Sequence, residues 1–228
     1  MKIDFFDQYN IRARVCPCII LLSPVVLTLF LCFSDVFNYV TSAVIIAIFL
    51  SIANCIPVIQ RMIFKRSKIE RVNYAAQYLN ISDTTFDTIS KKRYYKKLSE
   101  YDPVFDKLNT PTNNGLYIQL CESAVRLIKS KTREHNLLLE ENINYGFCKN
   151  MLLNKRCGLV LCSINIIFIV VYSFVTNITI TTIPRENWIV FLLTILILFF
   201  WIFVINKRIV QESGKRYSIA LIETIDNI

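Results

Sequence analysis

The sequence has few of the residues from which catalytic and cofactor sites are built. It contains four glycines and one histidine, His135, among 228 residues. A phosphate-binding loop needs several glycines close together, and none of the patterns G-x-x-x-x-G-K-[ST], G-x-S-x-G or H-E-x-x-H occurs. A lone histidine without clustered cysteine or carboxylate ligands is also a poor metal site. These absences predict a protein that is not an enzyme and holds no metal or cofactor.

Cysteine spacing gives no sign of a disulfide framework or a zinc site. The eight cysteines are scattered, and no two of them have C-x-x-C spacing. We expect most of them to act as small buried hydrophobic residues. They are Cys16, Cys18, Cys32, Cys55, Cys121, Cys148, Cys157 and Cys162.

Charged residues are absent from four long windows of the chain. Hydrophobic residues make up 54% of the sequence, against about 45–50% in soluble domains. A helix that crosses the hydrocarbon core of a bilayer needs about 20 mostly apolar residues. The windows that meet this requirement are 15–33, 36–60, 158–175 and 188–205.

These windows predict an all-α membrane protein with four transmembrane helices arranged as two hairpins. A helical cytoplasmic domain is inserted between spans two and three. The predicted divisions are a cytoplasmic or interfacial N-terminus (1–14), hairpin 1 (15–60), the cytoplasmic domain (61–157), hairpin 2 (158–205) and a cytoplasmic tail (206–228).

The distribution of basic residues predicts the orientation. Three lysines and arginines precede span one, eighteen lie in residues 61–156 and four lie in the tail, whereas the second outer loop has only Arg185. Lysine and arginine accumulate on the cytoplasmic side of a membrane. Both termini and the central domain are therefore predicted to be cytoplasmic. The cytoplasmic excess of basic residues also accounts for the net charge of +9, so no duplex nucleic acid is predicted as a partner.

The central domain contains a basic run that has two interpretations. Ser82 and Asp83 form a plausible N-cap for a helix that reaches about Ser99. Lysines interleaved with tyrosines on this helix could contact the phosphates and bases of a nucleotide. Alternatively, they form its solvated face. The candidate binding residues are Lys92, Arg93, Lys96 and Lys97.

A second long helix is predicted from Leu116, continuing through residues 137–141 toward span three. After it, Glu141-Asn142 is followed by Tyr145-Gly146-Phe147 and the pair Lys149-Asn150. This pattern, together with two spans, an insert and two more spans, resembles the SMODS-associated four-transmembrane effectors. SMODS denotes second-messenger oligonucleotide or dinucleotide synthetases. The family has arginine where Lys149 stands.

The resemblance implies a bacterial anti-phage effector encoded beside a nucleotidyltransferase, as in Hailong-type systems. Such an effector forms a homo-oligomeric pore in the inner membrane. A nucleotidyltransferase or its oligonucleotide product gates the pore, which arrests growth of the infected cell. Arg133, at the start of the similar stretch, is a further candidate ligand contact.

The residues of the similar stretch also have a physical interpretation. Glu141, Tyr145 and Lys149 are spaced i, i+4, i+8, and with Asn142 they form one polar helix face. Gly146 permits close approach of another backbone, and Phe147 follows it. This face is either a hinge or ligand contact that couples the domain to the pore, or a packing seam.

The spans suggest where a pore would run. None contains Asp, Glu, Lys or Arg, which disfavours proton relays, voltage sensors and ion-coupled transporters. Span two has a small and polar face, and span three contributes an asparagine. The alternative role of the asparagines is hydrogen bonding between helices. The candidate pore-lining residues are Ala43, Ala47, Ser51, Asn54 and Asn165. The competing function is a non-conducting adaptor that recruits a partner to the bilayer.

Overall fold

The computed structural model describes residues 8–32, 45–52, 55, 73–110, 114–132, 135–176 and 183–227. Within these ranges every regular element is a helix, which confirms the all-α prediction for this part of the chain. In chain order the α-helices are α1 (Cys16–Cys32), α2 (Tyr74–Tyr78), α3 (Thr88–Tyr101), α4 (Asn114–Lys131), α5 (Asn136–Thr176), α6 (Arg185–Phe199) and α7 (Lys207–Glu223).

Shorter helical segments extend or join these helices. Gln8–Asn10 and the π-helical segment Ile11–Val15 lead into α1, and a second π segment, Phe200–Val204, continues α6. The 3₁₀ segments Pro103–Asn109 and Thr224–Asn227 follow α3 and α7. Residues 45–52 and 55 are also helical.

The chain divides into two compact units. The first, here called the membrane unit, comprises Met1–Ser67 and Gly146–Ile209. The second, the polar unit, comprises Lys68–Tyr145 and Val210–Ile228. The boundary after Tyr145 falls inside the motif that carries the family resemblance.

Three described helices are long and apolar enough to cross a membrane. They are Gln8–Phe30, Asn136–Thr176 and Arg185–Val204. They contain most of predicted span one, all of predicted span three and almost all of predicted span four, so these three segments have the length and composition of membrane-spanning helices. Predicted span two, residues 36–60, lies mostly outside the described residues. The count of four spans and the hairpin layout therefore remain predictions.

The first helix prediction for the central domain is wrong at its start. The helix begins at Thr88, and its N-cap is Asp87 rather than Ser82 or Asp83. The Asp87 carboxylate accepts the backbone N–H groups of Ile89 and Ser90. The Ser90 hydroxyl also donates to it at 2.7 Å, and these bonds lower the pKa of Asp87. Asp83 instead closes a local turn by accepting from Thr85.

A helix is present from Leu116 as predicted, but its continuation through residues 137–141 is wrong, because two helices replace one. Helix α4 ends at Lys131, and α5 begins at Asn136. Between them, the His135 N–H bonds to the carbonyl of Thr132, which is the i→i+3 spacing of a turn. Threonine is β-branched and has a low helix propensity, which favours a break here. Apolar residues recur at helical spacing in both helices, so the sequence pattern did not indicate the break between them.

Each unit has its own apolar core. In the polar unit, side chains of α2, α3, α4 and α7 pack together, and the largest fully buried ones include Tyr95, Leu98, Ile128, Leu221 and Ile222. In the membrane unit, the core consists of Leu21, Met151, Cys162, Trp201 and Ile205. The polar unit therefore has an apolar core of its own, built from side chains of several helices.

Candidate coupling and ligand-binding sites

One face of α5 carries a small or polar residue every four positions. Its first three residues face the N-terminal helical segment and α1, and its last, Gly158, faces Trp201. Gly146 begins the series: a Cβ atom there would lie 2.8 Å from the Tyr9 hydroxyl and 3.0 Å from the Ala13 Cβ. One turn later, the Asn150 amide donates to the Ala13 carbonyl at 2.6 Å. The motif glycine is therefore a point of close packing against side chains of the N-terminal helical segment. The predicted approach of another backbone at Gly146 stays a prediction.

The Ala13 carbonyl belongs to the π segment Ile11–Val15. A π-bulge interrupts the regular i→i−4 ladder and occurs frequently at functional sites. Asn150 supplies a side-chain donor where the ladder is altered. Within the described residues, the N-terminal segment that was predicted to be cytoplasmic or interfacial continues as a helix from Gln8 into α1 without a break.

Two further turns of α5 continue this face. The Asn154 amide lies 4.0 Å from the Cys18 sulfur, a weak donor–acceptor pair. At Gly158 a Cβ atom would lie 2.5 Å from the Cε2 atom of Trp201, whose side chain is fully buried. Asn150 belongs to the motif that the sequence indicated, whereas Asn154 and Trp201 were not among the predicted site residues. The four-residue spacing from Gly146 to Gly158 was the signal for this face.

Asn165 lies deeper in the membrane unit and is 6% exposed. The Thr28 hydroxyl donates to its side-chain oxygen at 3.0 Å. Its amide donates to the Thr194 hydroxyl and to the Pro24 carbonyl, each at 3.2 Å. Asn165 thus joins α1, α5 and α6. Its assignment as pore-lining requires water to replace these bonds, and it stays a prediction.

Only part of the predicted pore face of span two lies in the described residues. Ala47 and Ser51 are exposed, and the Ser51 hydroxyl donates to the Ala47 carbonyl at 2.8 Å. Ala43 and Asn54 lie outside the described residues. The assignment of this face to a pore therefore stays a prediction.

The part of the motif that belongs to the polar unit packs against α7. The Tyr145 ring stacks on Tyr217, with centroids 6.1 Å apart and planes 5° from parallel. Gly214 makes room for this contact, because a Cβ atom there would lie 3.2 Å from the Tyr145 ring. Glu141 and Asn142 are half-buried in the same unit.

Four motif residues lie beyond the unit boundary: Gly146 and Asn150, described above, and Phe147 and Lys149. Phe147 packs against the core of the membrane unit, and Lys149 is half-buried. The helix α5 thus carries motif side chains that belong to both units.

Lys91, within the basic run, is a structural residue. Its side chain is 4% exposed, and its ammonium group donates to the backbone carbonyls of Asn80 and Asp83. Burial lowers the pKa of Lys91. The two carbonyl dipoles offset part of the cost of burying the charge, so this lysine holds the turn before α3.

The next part of the run contacts the C-terminal residues. Arg93 and Asp226 form an ion pair with 2.7 Å between nitrogen and oxygen. The Lys97 ammonium donates to the backbone carbonyl of Asp226 at 2.6 Å. The Arg93 guanidinium also lies 5.5 Å from the centroid of the Tyr94 ring. Two of the five predicted ligand-binding residues, Arg93 and Lys97, therefore bind the protein's own chain.

Searches of protein-family models, curated proteins and solved structures gave no match.

The remaining basic residues face outward. Lys92 and Lys96 are exposed, and Arg133 lies outside the described residues. Lys92 also lines a cavity of about 150 Å³, whose walls include Phe86 and Asn109. The basic helix therefore presents a buried lysine, a pair bound to the C-terminus and two exposed lysines. Its exposed cations can attract phosphate groups.

Proposed function

We propose that the protein is an oligomeric pore or ion channel of the bacterial inner membrane that acts in anti-phage defence. A nucleotide signal or a nucleotidyltransferase partner gates it through the polar unit, and opening causes growth arrest. The observation that carries the proposal is helix α5, which contains both the family-like motif and an apolar segment long enough to span a bilayer. This helix provides a hydrogen-bonded path from motif to span.

Polar side chains within the membrane unit are hydrogen-bonded inside one chain, so we place the pore between copies of the chain. Thr28 and Thr194 each bond to Asn165, and Asn187 donates to the Ser173 hydroxyl at 3.0 Å. Polar groups that satisfy each other in this way hold helices together. A water path would then run along the small face predicted in span two, where hydrophobic residues can gate by dewetting.

The test is conductance of the purified protein in liposomes, paired with a growth assay. The parent is expected to conduct and to arrest growth when its polar unit is activated.

Asn54→Leu is expected to weaken both effects while the protein still reaches the membrane and oligomerises. Ala47→Leu is expected to disturb assembly, because a bulky side chain prevents close helix approach. Native gels and crosslinking separate the two outcomes, with Asn54→Gln as the polar control.

If Asn54→Leu arrests growth as efficiently as the parent, span two does not line the pore, and Asn165 becomes the next candidate. If the parent never conducts but still recruits a nucleotidyltransferase to membranes, the adaptor function replaces the pore. In that alternative the polar unit, which has its own core and exposed lysines on α3, is the part of the chain that binds the partner.

Orientation is a separate prediction. Cysteine introduced at the exposed residue Glu186 is expected to react with a membrane-impermeant maleimide in intact cells. Cysteine at the exposed residue Ser82 is expected to react only after permeabilisation. The parent chain, which has its own cysteines, provides the background signal. External labelling at position 82 would contradict a cytoplasmic polar unit.

A further inference from the structure

The residues that end the described chain occupy part of the basic face of α3. Here the C-terminal segment means Thr224–Asn227. The Asp226 carboxylate binds the Arg93 guanidinium at 2.7 Å. Lys97 donates to the carbonyl of Asp226 at 2.6 Å and lies 3.4 Å from that of Ile225. Three oxygen atoms of the segment thus lie where an oxyanion would meet these two cations.

Apolar anchors hold this segment in place. Leu221, Ile222 and Ile225 are each 0% exposed in the core of the polar unit. A tethered group competes at an effective concentration on the order of millimolar. The ion pair itself remains open to exchange, because the side chains of Arg93 and Asp226 are 55% and 35% exposed.

We propose that Arg93 and Lys97 form a binding site for a phosphoryl oxyanion and that Asp226 is its built-in competitor. A phosphoryl group offers several acceptor oxygens, and the planar fork of arginine binds two of them at once. The segment offers Arg93 one carboxylate and Lys97 only neutral carbonyls. Phosphoryl binding therefore displaces Asp226 from Arg93, while Ile225 keeps the segment anchored.

This inference rests on the proposed function for its biological ligand, the phosphates of a nucleotide signal. Helix α7 links the segment to the end of the apolar helix Arg185–Val204 in the chain. Displacement of Asp226 from Arg93 by a ligand therefore occurs at the end of α7, the helix that follows the apolar helix Arg185–Val204. Asp226 would set the ligand concentration at which the polar unit responds.

The experiment measures binding of inorganic triphosphate to the full-length protein in neutral detergent, by calorimetry at low salt. Asp226→Asn keeps the shape of the side chain and removes its charge. It is expected to raise affinity about two- to fivefold, the range for release of an exposed ion pair. Arg93→Gln is expected to lower affinity at least about tenfold, the effect of losing a hydrogen bond to a charged group. In the Arg93→Gln background, Asp226→Asn is expected to have no effect.

Glu212→Gln is the matched control. Glu212 is exposed and pairs with Lys215 at 3.0 Å, so this change removes the same charge from another ion pair. It is expected to leave affinity unchanged. An equal rise in affinity for Glu212→Gln and Asp226→Asn would mean that net charge alone is responsible, and would overturn the proposal. So would an unchanged affinity in Asp226→Asn.

Nanodiscs distinguish the two sources of a phosphoryl group. If triphosphate binds equally in phosphatidylcholine and in phosphatidylglycerol discs, the site takes a soluble ligand. If phosphatidylglycerol abolishes binding in the parent and Arg93→Gln removes that competition, the site takes a lipid headgroup. The two binding measurements, in detergent and in nanodiscs, do not depend on conductance. If the protein conducts but Asp226→Asn leaves triphosphate affinity unchanged, only this inference is refuted. If the protein does not conduct but Asp226→Asn raises triphosphate affinity, only the proposed pore is refuted.

Discussion

Replacing Gly158 by alanine is expected to lower the stability of the membrane unit by about 1–3 kcal/mol, the usual cost of overpacking a well-packed interior. The new Cβ atom would lie 2.5 Å from the buried indole ring of Trp201, and the three nearest atoms all belong to this rigid ring rather than to the end of a flexible side chain. The expected measurement is a lower midpoint of thermal unfolding in detergent.

Gly115→Ala is the matched control, because no atom lies within 4 Å of a Cβ atom at that position. Alanine has a higher helix propensity than glycine by about 1 kcal/mol, so Gly115→Ala is expected to be neutral or stabilising. Trp201→Phe in the Gly158→Ala background is expected to recover part of the loss by making the facing ring smaller. A Gly158→Ala variant as stable as the parent would contradict this packing.

Replacing Lys91 by methionine is expected to lower the stability of the polar unit by about 2 kcal/mol. The change removes charge-assisted hydrogen bonds to the carbonyls of Asn80 and Asp83 and leaves buried acceptors without a donor. Such bonds contribute about 1.5–3 kcal/mol each, and removal of the desolvation cost of the lysine charge offsets part of the loss. Thermal unfolding followed by circular dichroism measures the effect.

The adjacent lysine is the control for Lys91. Lys92 is exposed on the same helix, and Lys92→Met is expected to change stability by less than about 0.5 kcal/mol. Equal effects at both positions would show that helix propensity or net charge, rather than the two carbonyl contacts, controls stability here. The pair also separates a structural lysine from one that is free to contact a ligand.

The candidate sites were only partly predictable from the sequence. Gly146 was expected to allow a close backbone approach, and the structure places the Tyr9 hydroxyl and Ala13 there. Its partner helix was not predictable, because 137 positions separate Ala13 from Asn150, which bonds to it. Likewise, spacing alone could not show that Lys91 is buried while Lys92 is exposed on the next position of one helix.

Local helix ends show the same limit. Ser82, Asp83 and Asp87 are all acceptable N-cap residues, and the choice of Asp87 depends on its bonds to Ile89 and Ser90. The break after Lys131 follows from a turn between Thr132 and His135. The helical spacing of apolar residues can continue across such a turn when both helices pack against the same core.

By itself, the sequence determined that the chain is helical and that it has segments long and apolar enough to cross a membrane. These properties are local: the bilayer requires about 20 consecutive apolar residues whatever the rest of the chain does. Only the tertiary structure decided which cations are buried, bound or exposed. Arg93 meets Asp226 across 133 positions of sequence, and that pairing follows from the apolar anchors that pack the C-terminal segment against α3, because side-chain partners are selected by packing in three dimensions.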